Sequence, residues 1–418
     1  MTLVWTLLTI AIPLLLVAIY CIGRPIGHGF MLATGAYLYF VLPFFAYATH
    51  AYWGGPGADL WERAFESAYP MGPAVLVALA VAALAVAAGS GAAKFIRPPR
   101  FAAIAVPVRL GLLAFALLTL AWLVYLFNAR ELLLAGYLLG YFPELMGPLA
   151  NVNLIATLLL LNFIEHGQSK RLQMAFGLLI LCNSAALLSM GGRLYVAAPI
   201  VALTLRYLAT AQGSRPPRRA LVLLLTVGAA LLLAAVGLWR LEKDLQLDTL
   251  AIGVLAEPLL TSTSFATLFD CNNLQAFAFP TNFLSSFVNF VPSVLLPGKE
   301  ALLADLDPSF NCLASPFGAT HLGTALVINF GVVGSLIAAG LFGFVLQLLR
   351  GRSPGNWVYF YACSLLPFML YRDGFLIFNK SFVANGILLP IILMLAGRLT
   401  WFQGGRRRPS TPMQLMPP

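Results

Sequence analysis

Eight basic residues of this sequence are the side chains best suited to chemistry. Long apolar stretches are joined by connections, and the acidic residues are nearly confined to every second connection: all Asp and Glu except Glu165 lie in this one set. The eight basic residues lie in the same set. They are Arg63, Arg130, Arg193, Arg240, Lys243, Lys299, Arg372 and Lys380. Guanidinium and ammonium groups bind phosphate oxygens, so this set indicates an anionic ligand such as a phosphate or pyrophosphate.

Four of these residues are candidates for binding the anion because of their neighbours. Arg193 follows two glycines in SMGGRLYV, which allow a close approach of an oxyanion; the alternative is an arginine that reaches lipid headgroups. Arg240 and Lys243 are three residues apart in WRLEKD, which predicts an anion clamp on one helical face or a solvated helix end. Arg372 in YRDG suits a phosphate unless Asp373 neutralises it.

Glu257 and His321 are the candidates for proton transfer. Glu257 lies in the apolar stretch VLAEPLLTSTS, where a carboxylate serves as a general acid or base, or forms an ion pair. His321 in SPFGATHLGTALVINFG has a side chain suited to proton transfer at neutral pH, and a structural histidine is the alternative. Lys299 follows Pro-Gly in LLPGKEALLADLD, which is typical of a surface turn as well as of an anion site.

Several other chemistries lack a pattern in the sequence. There is no Walker loop, no paired metal carboxylates, no CxxC and no Cys/His spacing of a zinc site, so we expect neither a metal nor a cofactor. The net charge of +10 does not indicate nucleic acid, because most basic residues outside the set above lie beside short connections or in the tail. Cys271 and Cys312 share one long segment and form either a disulfide or two free thiols.

The composition determines the fold class that must position these residues. Of the 418 residues, 60% are hydrophobic and only 10% are charged, and the mean hydropathy is +0.88. No soluble fold has an interior large enough for that apolar surface. The sequence therefore predicts an all-α, polytopic membrane protein that forms a single integral membrane domain over residues 1–418.

Apolar stretches of membrane-spanning length predict about eleven transmembrane helices. They lie near residues 2–21, 30–52, 71–91, 105–128, 147–164, 172–190, 193–212, 220–238, 322–349, 357–371 and 381–402. The connections after the odd-numbered helices carry Arg and Lys almost without acidic residues, which is typical of the cytoplasmic side. We therefore expect the N-terminus outside, and the C-terminus and the basic tail 403–418 in the cytoplasm.

The longest outer connection, residues 239–320, is expected to carry much of the function. A loop of that length without structure of its own is unusual. Its apolar stretches are interrupted by Ser, Thr and Pro, which favours interfacial helices that lie at the bilayer surface or re-enter it. No internal repeat is evident, which argues against transporter folds built from duplicated halves.

The order of these motifs resembles that of the Wzy-type O-antigen and capsular polysaccharide polymerases. The resemblance covers roughly residues 180–385. It consists of the GGR turn, a long outer loop with Pro-Gly-Lys, the helix start GTALVINFGVVGSLIAAGLFGF and a late YRDG. O-antigen ligases share this plan and have a histidine near the end of the large outer loop, which His321 matches, but His321-Leu322 departs from their His-Asn pair.

The resemblance implies glycosyl transfer at the periplasmic face of a bacterial inner membrane. The substrates would be glycans linked to undecaprenyl pyrophosphate, and the reaction would need neither nucleotide sugar nor metal. Arg193, Arg240 and Arg372, with Lys243 and Lys299, would bind the pyrophosphate. Glu257 or His321 would deprotonate the attacking hydroxyl group. Membrane lipid, a chain-length regulator and a flippase are the expected partners.

Three alternatives to a polymerase remain open from the sequence. An O-antigen ligase would use the same donor and transfer the finished polymer to lipid A-core. A transporter or flippase for a lipid-linked or anionic substrate would place charges near the bilayer midplane, where only Arg206 lies well within a predicted span. A structural partner of an envelope complex would need fewer helices than this sequence predicts.

Overall fold

A computed structural model describes most of the apolar stretches and part of the connections between them. The residues it describes are 2–21, 26–50, 58–96, 105–133, 143–190, 192–210, 228, 235, 247–271, 274–291, 295–302, 319–351, 356–393 and 395–396. Within these ranges the structure is helical, and its one β-type pairing is an isolated bridge between Thr320 and Asp373. The all-α class is therefore confirmed for the described residues.

The described ranges form a succession of α-helices with two π-helical segments. The α-helices are α1 (Thr2–Cys21), α2 (His28–Ala36), α3 (Leu42–Thr49), α4 (Ala58–Ala68), α5 (Gly72–Ala93), α6 (Val108–Asn128), α7 (Pro143–Glu165), α8 (Lys170–Ser189), α9 (Arg193–Thr210), α10 (Leu247–Ala266), α11 (Thr281–Ser285), α12 (Leu322–Arg350), α13 (Trp357–Leu365), α14 (Met369–Arg372) and α15 (Gly374–Asn379). The π-helical segments Tyr37–Val41 and Lys380–Leu388 continue α2 and α15.

Eight helical stretches of the described residues are long and apolar enough to cross a membrane. They are Thr2–Ile19, His28–Thr49, Ala58–Ala93, Val108–Asn128, Met146–Glu165, Lys170–Ser189, Leu322–Arg350 and Gly374–Leu393. Each overlaps one of the predicted spans, so the structure agrees with a helical membrane protein. Leucines on the outer sides of α1, α5 and α6, such as Leu7, Leu84 and Leu117, remain exposed on the bundle, as lipid contact requires.

The three other predicted spans differ in their outcomes. The first, 193–212, contains α9, which is helical to Thr210. The stretch 357–371 is divided between α13 and α14 by a turn at residues 366–368. Pro367 accounts for this break, because proline has no backbone N–H and restricts the residue before it. The predicted span 220–238 lies outside the described residues apart from residues 228 and 235.

Glycines bring α5 and α12 into backbone contact. A Cβ atom added at Gly89 would lie 1.9 Å from the carbonyl oxygen of Gly340, and one added at Gly343 would lie 2.3 Å from that of Val86. Small residues allow such approaches between membrane helices, where association depends on packing.

The described residues of the segment 239–320 pack against the other helices. α10 belongs to it, and side chains from Ala256 onward in this helix are nearly all buried. Residues 274–291 pack on α12, where Val332 N–H donates to Gln275 O at 2.9 Å and Val333 N–H to Ala276 O at 2.9 Å. Gly331 has φ +74°, and a Cβ atom there would lie 2.6 Å from the Ala276 backbone, so only glycine suits this junction.

We predict that Gly89→Ala destabilises the protein while Gly91→Ala does not. The added methyl group at residue 89 meets a backbone carbonyl, and such overpacking costs about 1–3 kcal/mol. Gly91 is on the same helix with no atom within 4 Å of an added Cβ. The thermal unfolding temperature of the purified protein in detergent measures both effects. Equal unfolding temperatures for the two variants would contradict the close α5–α12 contact.

Candidate active site

Glu257 lies between two arginines that come from different parts of the chain. Its Oε2 is 3.4 Å from Nη2 of Arg193, and its Oε1 is 2.6 Å from Nε of Arg372. Arg372 also contacts Asp373, with 2.6 Å between Nη1 and Oδ1. The structure thus brings together three of the predicted site residues and adds Asp373 to them. We refer to Arg193, Glu257, Arg372 and Asp373 as the ion cluster.

A tight turn between α8 and α9 positions Arg193 as the first residue of α9. The N–H group of Gly192 donates to Leu187 O at 2.7 Å, and a Cβ atom at Gly192 would lie 3.2 Å from both Leu187 and Met146. A Cβ atom at this position would therefore require these two side chains to shift slightly. Asn153 of α7 secures the first turn of α9, because its Nδ2 donates to Tyr195 O at 2.9 Å.

The backbone around Asp373 fixes the other arginine. The N–H of Arg372 donates to Phe368 O at 3.1 Å and that of Asp373 to Met369 O at 3.0 Å, which closes the short helix α14. Gly374 has φ +60°, a value that side chains disfavour. The bridge between Thr320 and Asp373 joins this corner to the start of α12. YRDG is therefore a structural junction as well as a carrier of charge.

The ion cluster balances two guanidinium groups with two carboxylates. The side chains of Arg193, Glu257 and Arg372 are 15%, 21% and 22% exposed, while that of Asp373 is 2% exposed. Burial raises the pKa of Asp373, and the Arg372 guanidinium opposes this increase. Burial disfavours the charged form of Arg372, but Glu257 and Asp373 outweigh it and raise its pKa well above the usual value. Arg372 therefore remains a cation.

The sequence left open whether Asp373 neutralises Arg372, and in the structure the two side chains form an ion pair. The ion pairs of Arg372 use Nε and one proton of Nη1, whereas a guanidinium group has five N–H donors. The remaining donors can still bind a phosphate oxygen. The charge balance means that a dianionic ligand would have to compete with the carboxylates of the cluster.

His321 is buried at the start of α12, and both of its ring nitrogens have partners. Nδ1 accepts a hydrogen bond from Gly323 N–H at 3.0 Å, which caps the helix. Nε2 is then the protonated nitrogen and donates to Tyr39 O at 3.1 Å. The rings of Phe40 and Phe265 enclose the imidazole at centroid distances of 4.3 and 5.0 Å. Burial lowers its pKa to about 3, so His321 is neutral.

Two tyrosines belong to the surroundings of the ion cluster and were not predicted. The phenol of Tyr39 interacts electrostatically with all four residues of the ion cluster. Tyr195 interacts in the same way with Arg372. Tyr39 lies in the π-helical segment Tyr37–Val41, and such segments often occur at functional sites. In the sequence AYLYFVLPFF nothing separates Tyr39 from an ordinary core aromatic residue.

Of the other predicted ligands, Lys299 lies within the described residues and is not part of the ion cluster. Lys299 is buried, and its Nζ donates to Asn289 Oδ1 at 3.2 Å and to Val291 O at 3.0 Å. Arg240 and Lys243 lie outside the described residues. Cys271 is disulfide-bonded, whereas Cys312, its predicted partner, lies outside them too.

A second ion pair accounts for the one acidic residue that the charge pattern left isolated. Glu165 ends α7, and its Oε2 lies 2.8 Å from Nε of Arg206 on α9. Arg206 was the one basic residue placed well within a predicted span. Because each charge compensates the other, this pair joins α7 and α9 and does not require a ligand.

Within the described ranges, no group of three or more His, Cys, Asp or Glu side chains could hold a metal ion. Comparison of the chain with protein-family models, with characterised proteins and with solved structures found no significant match. The geometry of the ion cluster is therefore the main guide to its chemistry.

We predict that Glu257→Gln lowers the unfolding temperature because it leaves two partly buried arginines with less compensating charge. A double-mutant cycle with Arg193→Gln should give a coupling energy of about 1 kcal/mol, as expected for a partly exposed pair. Thermal unfolding in detergent, at low and at high salt, measures it. If Arg193→Gln costs the same with glutamate or glutamine at position 257, the two side chains do not interact in the folded protein.

We also predict that His321 makes stability depend on pH. Its pKa is about 3 in the folded protein and 6.5 in a solvated histidine, so unfolded chains gain a proton first as the pH falls. The folded state should lose about 1.4 kcal/mol for each pH unit between 6.5 and about 3, the pKa of the folded state. His321→Asn retains a helix cap and removes this loss. Unfolding temperatures at pH 7 and pH 5 test this, and equal shifts in both proteins would refute it.

Proposed function

We propose that the protein is a membrane glycosyltransferase of the O-antigen polymerase type. It would join oligosaccharide repeat units carried on undecaprenyl pyrophosphate at the periplasmic face of a bacterial inner membrane. The observation that carries this proposal is the convergence of Arg193 and Arg372 on Glu257, a carboxylate of the long outer segment. Two arginines and a carboxylate are what a metal-independent transfer from a pyrophosphate donor needs.

The proposal includes a topology of about eleven transmembrane helices with the N-terminus periplasmic and the C-terminus cytoplasmic. Eight apolar helical stretches and the acidic residues of the alternate connections support it. Helix α10 and residues 274–302 belong to the long periplasmic loop, and the basic tail 403–418 is cytoplasmic. A chain-length regulator and a flippase are the proposed protein partners.

In the proposed mechanism, Arg193 and Arg372 bind the donor pyrophosphate. Guanidinium groups bind phosphate oxygens bidentately and keep their protons, so they stabilise the negative charge that grows on the leaving group. Arg240 and Lys243 are further proposed ligands from the outer end of the predicted helix 220–238. The pyrophosphate displaces Glu257 from the two arginines, because its negative charge competes with that carboxylate for the two guanidinium groups.

The displaced Glu257 is the proposed general base. It accepts the proton of the acceptor hydroxyl group while the hydroxyl oxygen attacks the anomeric carbon of the donor sugar. The bond between that carbon and the phosphate oxygen breaks, and undecaprenyl pyrophosphate leaves with the electron pair. His321 is not the base in this proposal, because both of its ring nitrogens are hydrogen-bonded to backbone groups of the protein. It acts as a positioning residue.

We predict that Arg193→Ala abolishes polymer formation in the bacterium that carries the protein. Loss of one positioned cation at a developing negative charge should reduce turnover roughly 100-fold or more. Arg193→Lys should restore only part of it, because lysine lacks the planar fork. The measurement is a gel of the surface polysaccharide, with membrane levels of each variant checked. Arg63→Ala is the matched control, since Arg63 is an exposed arginine of another predicted outer segment.

The pattern of the gel distinguishes the proposal from its alternatives. Core with a single repeat unit would support a polymerase that uses Arg193. Core without sugar, together with long lipid-linked polymer, would contradict the polymerase and identify a ligase. A normal ladder with Arg193→Ala would remove Arg193 from the site, and a defect of equal size with Arg63→Ala would show that the effect is not specific.

A further inference from the structure

Lys299 and Lys380 form a second cationic pair, separate from the ion cluster. Lys299 begins the 3-10 turn Lys299–Leu302 and is 6% exposed. Lys380 begins the π-helical segment Lys380–Leu388 and is partly buried. Asn289 links the segments that carry the two lysines, and the charge of Lys299 acts on Lys380. Two like charges are thus held together in a partly desolvated place.

Hydrogen bonds between two elements enforce this proximity. Asn289 accepts from Lys299 through Oδ1 and donates through Nδ2 to Leu376 O at 3.2 Å. Leu376 lies four residues before Lys380, so it is about one helical turn away. Asn379 Nδ2 donates to Ser286 Oγ at 2.7 Å and joins the same two elements. These hydrogen bonds therefore hold the segments of the two lysines together.

None of the carboxylates whose side chains the structure describes pairs with either lysine; the side chain of Glu300 and residues 303–318 lie outside that description. None of the ion pairs among the described residues, each defined by a distance of at most 4.0 Å, includes either lysine. Arg193, Arg206 and Arg372, in contrast, each have one. Like charges at short range in partly buried surroundings destabilise a fold unless an anion offsets them.

Exposed apolar side chains lie near Lys299 along the chain. Leu295 and Leu302, on either side of Lys299, are 74% and 57% exposed. Phosphate oxygens suit the ammonium groups, and hydrocarbon suits the leucines. A molecule with both parts, lying at the bilayer surface, matches this combination better than a soluble anion.

We propose that Lys299 and Lys380 bind the phosphate group of a membrane lipid. Asn289 holds Lys299 in place, and the leucines contact the hydrocarbon chain. This inference does not depend on the glycosyltransferase proposal, because it uses neither the ion cluster nor any reaction.

The test compares thermal unfolding of the purified full-length protein and its Lys380→Gln variant in detergent. Phosphatidylglycerol, phosphatidylcholine and inorganic pyrophosphate are added separately. Phosphatidylglycerol should raise the unfolding temperature of the wild type by about 3 °C or more, as expected for a ligand of the folded state. Lys380→Gln should lose this shift. Without lipid the variant should be as stable as the wild type or more so, since it lacks the repulsion.

Two controls keep the test decisive. Lys170→Gln changes an exposed lysine at the start of α8 and should retain the full phosphatidylglycerol shift, and phosphatidylcholine should give a smaller shift than phosphatidylglycerol. A shift that persists in Lys380→Gln, or that Lys170→Gln also loses, would overturn the proposal. An equal shift with pyrophosphate alone would overturn the lipid assignment and indicate a site for free phosphate.

Discussion

The ion pairs of Glu257 are the interaction on which the rest of this site depends. Desolvating a charge costs several kcal/mol unless an opposite charge and hydrogen bonds offset it. Glu257 meets this need for two arginines at once, at 3.4 and 2.6 Å. Since these residues belong to α9, α10 and the end of α14, one carboxylate determines how three helices lie relative to one another. The Thr320 bridge then extends the constraint to α12.

Charge balance also limits what the site can bind. With two guanidinium groups and two carboxylates, the cluster has no excess positive charge, so an anion that binds the arginines competes with the carboxylates. Of the two, Glu257 is the more exposed, and Asp373 is nearly inaccessible. Glu257 is therefore the group to exchange. A phosphate group suits this exchange because it can bind a guanidinium through two parallel hydrogen bonds.

The sequence singled out Arg193, Glu257 and Arg372 but did not predict their contacts. These residues stood out because a charge in apolar surroundings needs a reason, and hydropathy located most helices. Their contacts could not be predicted, because partners far apart in the chain follow no period. Tyr39 carried no signal beyond that of a core aromatic residue. The proximity of Lys299 and Lys380 was hidden as well, since nothing in a sequence marks like charges that the fold brings together.

The two cationic groups differ in how the fold balances them, and this difference argues for different roles. A cluster that is neutral by itself can release an anion without leaving a desolvated charge behind, which suits a site where a product must depart. None of the carboxylates whose side chains are described compensates the lysine pair, so losing its anion restores the repulsion. A bound anion should therefore stay longer on the lysines than at Glu257, which suits a lipid that remains with the protein while substrates exchange.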